Sequence, residues 1–417
     1  MDNMLYWIWL SLCCSPSGST FGKLIKEFDS AKSIYEADDK KISSIVGYRN
    51  SDRALLENKS LDKAEEILVF CRKHGVGLLC YGDEKYPKAL RAIDTPPVLL
   101  YYRGVLPDFD NIFAVSAVGT RALSDYGRKN AFSISYDLAT AGATIVSGMA
   151  MGIDGVAMAG AIAAGGKTIA IIGSGIDVCY PPQHLRLARE IVKTGCVMTE
   201  FAPGTPPARF NFPKRNRIIS GLSAATVVFE GAEKSGALIT ARYAKEQGRA
   251  VYALPGNVGS KTSQLSNLLL KNGAKICTSA DDVLGDFTKE YGKLINPFLL
   301  KERLPVDMMS TLSEYGVCAV CPNDDIFEVP RIRRKADSAP VIETEDLEIT
   351  EPKAPPAEFD SRALKIYKKI PIKGSCSIES LVEADMNLRD VMKCLLKLEI
   401  GGFVRLLPGE MVSRKTN

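Results

Sequence analysis

The sequence predicts an α/β protein built on an extended Rossmann-like, doubly wound and mostly parallel sheet. Between residues 112 and 277, apolar runs typical of buried parallel strands alternate with segments long enough to form helices. Several of these runs end in glycine-containing turns, and a doubly wound sheet binds its ligands at such strand ends. The candidate strands are 112–118, 143–147, 168–172, 196–199, 225–229, 249–254 and 275–277.

The chain has 417 residues, more than a typical domain of about 100 to 200 residues, so several folded parts are expected. Residues 1–75 show short amphipathic patterns separated by turns and predict a small helical domain. Residues 76–300 carry the predicted sheet. A flexible linker is predicted over 301–358, since the stretch from residue 322 onward is rich in proline and charge.

Residues 359–417 predict a winged-helix-like domain. Helical patterns near 361–370, 377–383 and 387–398 precede a stretch at 401–414 that is typical of two short strands around a Pro-Gly turn. A DNA-binding role and a protein-binding or structural role both stay open for this part, because its third helical pattern carries acidic as well as basic residues.

The composition indicates an ordinary globular protein, in which basic residues would have to be concentrated in one region to bind nucleic acid. Hydrophobic residues make up 46% and charged residues 24% of the chain, and the net charge is only +4. The eleven cysteines are scattered along the chain, which favours free thiols and a cytoplasmic protein. Cys318 and Cys321 form a CxxC motif, but no second cysteine pair follows at metal-binding spacing, so no metal site is expected. The apolar segment near the first residue is too short to span a membrane and predicts a buried helix.

Glycine turns follow four of the predicted strands, at 118–121, 147–154, 173–177 and 230–240. Backbone amides at helix starts bind anions well, and glycine allows a ligand to approach the backbone closely. Four such turns at one sheet edge predict a site for a polyanion. The residues predicted to line it are Arg121, Ser147, Gly148, Gly152, Gly173, Gly175, Ser235 and Gly236.

A basic segment, RFNFPKRNR at 209–217, precedes an apolar run that has to be buried. This order places the charges at a helix start beside the sheet, where guanidinium groups suit phosphate. Phe210 and Phe212 are candidates to stack on bases. The predicted DNA-binding residues of this segment are Arg209, Phe210, Asn211, Lys214, Arg215, Asn216 and Arg217.

Two motifs that suggest nucleotide chemistry lack the required context. GGKT at 165–168 lies between a helix and the following strand, which is the reverse of the P-loop order. GSGIDV at 173–178 lacks the third glycine of a dinucleotide fingerprint, so NAD binding is only a weak alternative. A helix-start role is favoured for His184 over acid–base catalysis, and capping roles account for Asp154, Asp177 and Glu200. No catalytic residue and no cofactor are predicted.

Taken in order, YPKAL, PPVLLYYRG, VGTR, SGMAMGID, GGKTIAIIGSGIDVCYPP, TEFAPGT, FPKRNRIISGLS, SGALITARYA and ALPGN resemble the signature of the DNA-processing protein A family, DprA or Smf, over 86–284. The resemblance implies a Rossmann-like domain, a sterile-alpha-motif-like first domain and a winged-helix-like tail. It also implies a non-enzymatic protein that binds and protects single-stranded DNA and helps load the RecA recombinase during natural transformation and recombination. A homodimer contact through Leu270 and Ile276 is implied as well.

By the same resemblance, Arg121 and Arg209 match residues that hold the DNA backbone, with arginine at 209 where lysine is common. Some positions depart from the family pattern: Met158 stands in place of a usual histidine, Met151 and Pro182 stand where basic residues are frequent, and Leu265 replaces a usual glycine near the dimer helix. These departures predict a less positive pocket and an altered dimer.

The alternative is a nucleotide-binding hydrolase, similar to phosphoribohydrolases, on a related Rossmann-like fold. Such an enzyme needs a PGGxGT-type loop with a nearby glutamate, and the closest string here, APGTPP at 202–207, lacks it. A scaffold that acts mainly through its terminal domains is a third possibility.

Overall fold

The computed structural model describes residues 3–47, 51–302 and 306–317, and in the C-terminal part 360–370, 375–377, 381, 388–400, 403–407 and 411–414. The chain divides into two compact units, Met1–Arg333 and Arg334–Asn417.

The first unit begins with six helices: α1 (Asn3–Cys13), α2 (Thr20–Glu27), α3 (Ala31–Tyr35), α4 (Asp39–Val46), α5 (Arg53–Glu57) and α6 (Asp62–Lys73). Nearly every large side chain of α1 is buried, because this apolar helix packs against α3, α5 and α6. In the described part of the chain, no helix combines the length and apolar character needed to cross a membrane.

The strands β1 to β9 form one sheet in the order β1-β2-β6-β5-β4-β3-β7-β8-β9. Their bounds are Gly77–Cys80, Leu99–Gly104, Ala114–Val118, Thr144–Ser147, Thr168–Ile171, Cys196–Thr199, Ala225–Val228, Ala250–Ala253 and Lys275–Ile276. The pairs from β6 through β9 are all parallel, which confirms the predicted Rossmann-like class. The sequence missed β1 and β2, which add to the sheet as antiparallel strands.

Helices cover both faces of this sheet. They are α7 (Lys88–Arg91), α8 (Asp125–Thr140), α9 (Ile153–Ala163), α10 (Leu185–Thr194), α11 (Asn211–Gly221), α12 (Gly236–Glu246), α13 (Gln264–Lys271) and α14 (Ala280–Tyr291), with 3-10 helices at Phe109–Asn111, Pro182–His184, Lys261–Ser263 and Pro297–Glu302. Successive strand side chains point to opposite faces, so Val197 of β6 joins one hydrophobic core while Cys196 and Met198 join the other.

A further helix, α15 (Met308–Glu314), lies within the range 301–358 for which the sequence predicts a linker. The Asp307 carboxylate accepts hydrogen bonds from the amides of Met309 and Ser310 and caps the helix, and Leu312 is fully buried against the domain core. Burial of that side chain orders the segment, and the linker prediction therefore fails for 306–317. The rest of the predicted linker, with Cys318 and Cys321, lies outside the described residues.

The second unit contains α16 (Ser361–Lys369), β10 (Ser375–Ser377), α17 (Leu388–Ile400), β11 (Val404–Leu407) and β12 (Met411–Arg414). Its antiparallel sheet has the order β10-β12-β11, and α16 and α17 bury Ile366, Tyr367 and Leu395 in a core of their own. These helices and the β11–β12 hairpin agree with a winged-helix-like fold. Most of the helix predicted at 377–383 lies outside the described residues, and Ser377 belongs to β10.

Candidate nucleic-acid interface

The four glycine turns lie at the same edge of the sheet. They follow β3, β4, β5 and β7, which are neighbours in the order β5-β4-β3-β7 and run parallel. Parallel strands end at a common edge, so the four turns lie together there, as the sequence predicts.

Phe212, in the first turn of α11, is the centre of this edge. The guanidinium carbons of Arg121 and Arg215 lie 5.1 and 6.0 Å from its ring centroid, and the ring of Tyr180 lies 5.7 Å away. Cation–aromatic distances of this size are attractive. The ring also packs on Gly173, where an added Cβ would lie 2.9 Å from the Phe212 Cδ1 atom. Glycine is needed at 173 to make room for this aromatic ring.

Arg215 lies beneath the turn after β4. It is 3% exposed, its Nη1 donates to the Gly148 carbonyl at 2.8 Å, and its Nε donates to Asn216 at 3.2 Å. Burial lowers the pKa of its guanidinium to about 10, so the group stays charged at neutral pH. Burial also raises the pKa of the neighbouring Asp154, whose carboxylate accepts from the Gly148 amide at 3.1 Å. Arg215 therefore supports the edge from inside.

Arg217 lies elsewhere, and its prediction as a DNA contact is corrected. Its Nη1 and Nη2 donate to the two carboxylate oxygens of Glu200 at 2.6 and 2.7 Å, and its Nε donates to the Thr95 carbonyl at 2.8 Å. The side chain is 2% exposed. Because all three nitrogens of this buried guanidinium donate to partners inside the protein, Arg217 is a structural residue.

Asn211 and Ser147 are also turned into the protein. Asn211 is 3% exposed and its Nδ2 donates to the Pro206 carbonyl at 3.4 Å, while the buried Ser147 hydroxyl donates to the Ala117 carbonyl at 2.6 Å. Both were predicted as DNA contacts, and both instead hold the loops together. Gly148 and Gly175 have amides bonded to Asp154 and to the Thr205 carbonyl, so these amides are not free for phosphate.

Glu230, at the end of β7, ties three loops together. Its carboxylate accepts from the Ser124 amide at 2.9 Å, from the Ser124 hydroxyl at 2.6 Å and from the Thr262 hydroxyl at 3.1 Å. Its side chain is 1% exposed. The loop that carries Arg121 is thereby anchored to the end of β7.

Asp177 is held in the same way. It is 6% exposed, and both carboxylate oxygens accept from the Gly204 amide, at 2.8 and 3.0 Å. Asp154, Asp177 and Glu230 are thus three acidic side chains of this edge whose carboxylates accept hydrogen bonds within the protein.

This edge exposes several cationic side chains, although the turn after β7 also exposes the acidic Glu233. We call Arg121, Arg209 and Lys214 the cationic rim. Arg121 and Arg209 are exposed and Lys214 is half-buried, and the ion pairs of the described residues include none of the three. Phe210 is 66% exposed, and the Lys214 Nζ lies 5.6 Å from its ring centroid. The rim therefore presents free cations beside an exposed aromatic ring.

The start of α12 adjoins the rim through Asn216, whose Nδ2 donates to the Gly236 carbonyl at 3.4 Å. No side chain among the described residues caps this helix, and a Cβ at Gly236 would meet open space. The Ser235 hydroxyl is buried and has no hydrogen-bond partner among the described residues. This exposed helix start can accept an anion through its backbone amides.

Gly152, at the start of α9, has φ +85°, and a Cβ there would contact the Thr120 carbonyl oxygen and lie 2.7 Å from the Arg121 Cα. We expect Gly152→Ala to lower the free energy of unfolding by at least about 2 kcal/mol, because the left-handed backbone alone costs about 1–2 kcal/mol and the clash adds to it. Urea denaturation measures the change. Gly285→Ala in α14, where a Cβ meets open space, is the matched control and should not destabilise the protein. Equal stability of both variants would contradict the close packing at Gly152.

His184 and Met158 are both fully buried. The His184 Nδ1 bonds the Met149 carbonyl at 3.0 Å, and burial lowers the pKa of the ring, so the imidazole is neutral and holds the turn after β4. Met158 lies in the core of α9 and therefore does not reduce the surface charge, contrary to the prediction. Met151 and Pro182 are exposed in the edge loops, so their lack of a positive charge can affect the surface of this edge.

The predicted dimer residues lie near β9, at the edge of the sheet opposite β1. Ile276 is 55% exposed on the edge strand β9, and Leu270 is half-buried in α13. Leu265 is fully buried and packs on Gly231, where a Cβ would lie 2.9 Å from its Cδ2. Leu265 thus fills the interior of its own chain.

Sequence reasoning missed Tyr180 and the anchoring role of Glu230. An aromatic residue in the loop after a predicted strand, directly before Pro181, was a signal for the first. Among the described residues, no group of histidine, cysteine, aspartate and glutamate side chains is arranged to hold a metal.

Comparison with known proteins agrees with this geometry. The model of the family described as DNA recombination-mediator protein A matches residues 77–288. The chain is 30% identical to Protein Smf of Synechocystis over 420 residues, 99% of both chains. It is 40% identical to the DNA processing protein DprA of Streptococcus pneumoniae over 246 residues, 59% of this chain and 86% of that protein. The X-ray structure of DprA from Streptococcus pneumoniae is similar with a TM-score of 0.59 and 34% identity, over 69% of this chain and 98% of that one.

Proposed function

This chain belongs to the DNA recombination-mediator protein A family, and on that premise we propose that it binds single-stranded DNA along the cationic rim, protects it and helps load a RecA recombinase onto it. Natural transformation and recombination are the processes in which such a protein acts. Binding takes place in the cytoplasm, and the functional form is a homodimer that pairs through α13 and β9.

One observation carries the binding proposal. At the edge where four strand ends meet, the buried acidic side chains Asp154, Asp177 and Glu230 each accept hydrogen bonds within the protein. The cationic rim faces solvent without ion-pair partners among the described residues. Exposed cations beside carboxylates that are held inside the protein attract phosphates.

The mode of binding follows from the side chains of the rim. Arginine and lysine contact phosphate oxygens, which carry no base sequence, so affinity is expected to be independent of sequence. The exposed ring of Phe210 offers a stacking surface to an unpaired base. A single strand can present phosphates and base faces together, whereas a duplex keeps its bases stacked.

A salt titration tests this proposal. We expect tighter binding of a labelled single-stranded oligonucleotide than of its duplex, and a slope of log affinity against log salt concentration of about −2 or steeper between about 50 and 200 mM, since each phosphate contact on a single strand contributes about −0.7. Arg121→Gln should reduce the steepness by about 0.7. Fluorescence anisotropy gives both values. Preference for duplex, or affinity independent of salt, would overturn the assignment.

We further propose that the protein does not chemically change its ligand. The support is that the carboxylates of Glu230 and Asp177 are held in internal hydrogen bonds and that His184 is buried. Incubation of the purified protein with nucleoside monophosphates should release no free base. Release of base at a rate that falls in Glu230→Gln would instead support the hydrolase alternative.

A further inference from the structure

Tyr180 is an exposed aromatic residue next to the centre of the cationic edge. It follows β5 in the loop that leads to the 3-10 helix Pro182–His184, and its side chain is 38% exposed. Its ring centroid lies 5.7 Å from that of Phe212, with the two planes inclined by 43°. This geometry is typical of interacting aromatic pairs.

The loop that carries Tyr180 is held rigidly. The Ser174 hydroxyl donates to the Val178 carbonyl at 2.8 Å, and the Val178 amide donates to the Gly175 carbonyl at 2.9 Å. On the other side, the His184 amide donates to the Pro181 carbonyl at 3.1 Å. Bonds on both sides of Tyr180 restrict the backbone that positions its ring, so little conformational freedom would be lost when a ligand stacks on it.

The neighbouring aromatic rings differ in the surface they offer. Phe212 is half-buried between Gly173 and the guanidinium groups of Arg121 and Arg215, and these neighbours cover part of its ring. Tyr180 contacts Phe212 and is itself partly open to solvent. A flat ligand that reaches this pair from solvent therefore meets Tyr180.

We propose that Tyr180 stacks on a nucleobase of the strand whose backbone is held by Arg121. This inference rests on the proposed function and assigns one base-contacting residue of the same site. Tyr180 contacts the ring of Phe212, and that ring lies 5.1 Å from the exposed guanidinium of Arg121. A nucleotide whose phosphate is bound by Arg121 therefore has its base close to Tyr180, and we infer that this base is the group that stacks on the tyrosine ring. Only an unpaired base has a free face for this contact.

Oligonucleotides with and without bases test the proposal. Tyr180→Ala should weaken binding of an ordinary single-stranded oligonucleotide by about tenfold, within the range for loss of one base–aromatic stack. It should change binding of an abasic oligonucleotide of equal length and charge by less than about twofold, since phosphate contacts alone remain. Tyr180→Phe keeps the ring and should bind both as the unaltered protein does.

The control is Phe298→Ala. Phe298 is 74% exposed. The amide of Asn296, two residues before it, donates to the Ala141 carbonyl, which lies between α8 and β4. Phe298 is therefore near the opposite end of the strands from the rim. Binding of both oligonucleotides should be unaffected.

A base analogue gives a second readout. With 2-aminopurine placed along the strand, one position should be quenched on binding to the unaltered protein, and that quenching should be lost in Tyr180→Leu at saturating protein. Equal loss on both oligonucleotides, or unchanged affinity and quenching, would overturn the role of Tyr180. The proposed function would survive those results, whereas failure of the unaltered protein to bind either oligonucleotide would overturn the proposed function itself.

Discussion

Replacing Arg121 and Arg209 together by glutamate is expected to lower the affinity for single-stranded DNA of any sequence by at least about 100-fold. Each charge-assisted hydrogen bond to a phosphate contributes about 1.5–3 kcal/mol, so the loss of two already amounts to about 3–6 kcal/mol. The new carboxylates add repulsion. Both positions are exposed, so the substitutions should leave the fold intact.

A gel-shift titration measures this effect against a variant with the same change in net charge. Lys63→Glu with Lys73→Glu is suitable, because both lysines are exposed on α6 in the N-terminal helices. That control should keep most of the affinity. Unchanged binding in the Arg121 and Arg209 variant would refute the rim as the DNA site, and equal loss in both variants would show that net charge alone is responsible.

Arg217→Met is expected to lower the free energy of unfolding by about 3–5 kcal/mol, because removing one partner of a buried ion pair leaves the other charge buried and unpaired. The abandoned partner is Glu200, whose side chain is 5% exposed. The Thr95 carbonyl would also lose its donor. Urea denaturation followed by fluorescence gives the change in stability.

The double variant Arg217→Met with Glu200→Leu is the control for this prediction. Removing both charges leaves no unpaired ion, so the double variant should be more stable than Arg217→Met alone. The folded fraction of Arg217→Met should still bind single-stranded DNA. A variant that keeps its stability and loses only DNA affinity would restore Arg217 to the interface and contradict its structural role.

Residues 209–217 show how far sequence patterns reach. The order of a basic segment before an apolar run correctly predicts a helix start beside the sheet, as α11 shows. The pattern does not separate Arg215 from Arg217. Residues two apart on a helix face different directions, and here one faces Gly148 while the other faces Glu200.

The glycine turns show the same limit. Their place after strands is visible in the sequence because strands and turns have local signatures. What each glycine accommodates is not local. Gly148 makes room for the Arg215 guanidinium, whose Nη atoms would lie 2.5 Å from an added Cβ, and Gly173 makes room for the Phe212 ring. Both partners come from α11, far along the chain.

The amino-acid sequence by itself determined the parallel α/β sheet, the position of its ligand edge and the family, because apolar periodicity and turn residues act over short distances. Only the tertiary structure decided which charges remain available. Burying an ion requires a partner, and the partners of Arg217 and Glu230 come from distant segments, so the division between structural charges and the exposed cationic rim appears only once the chain is folded.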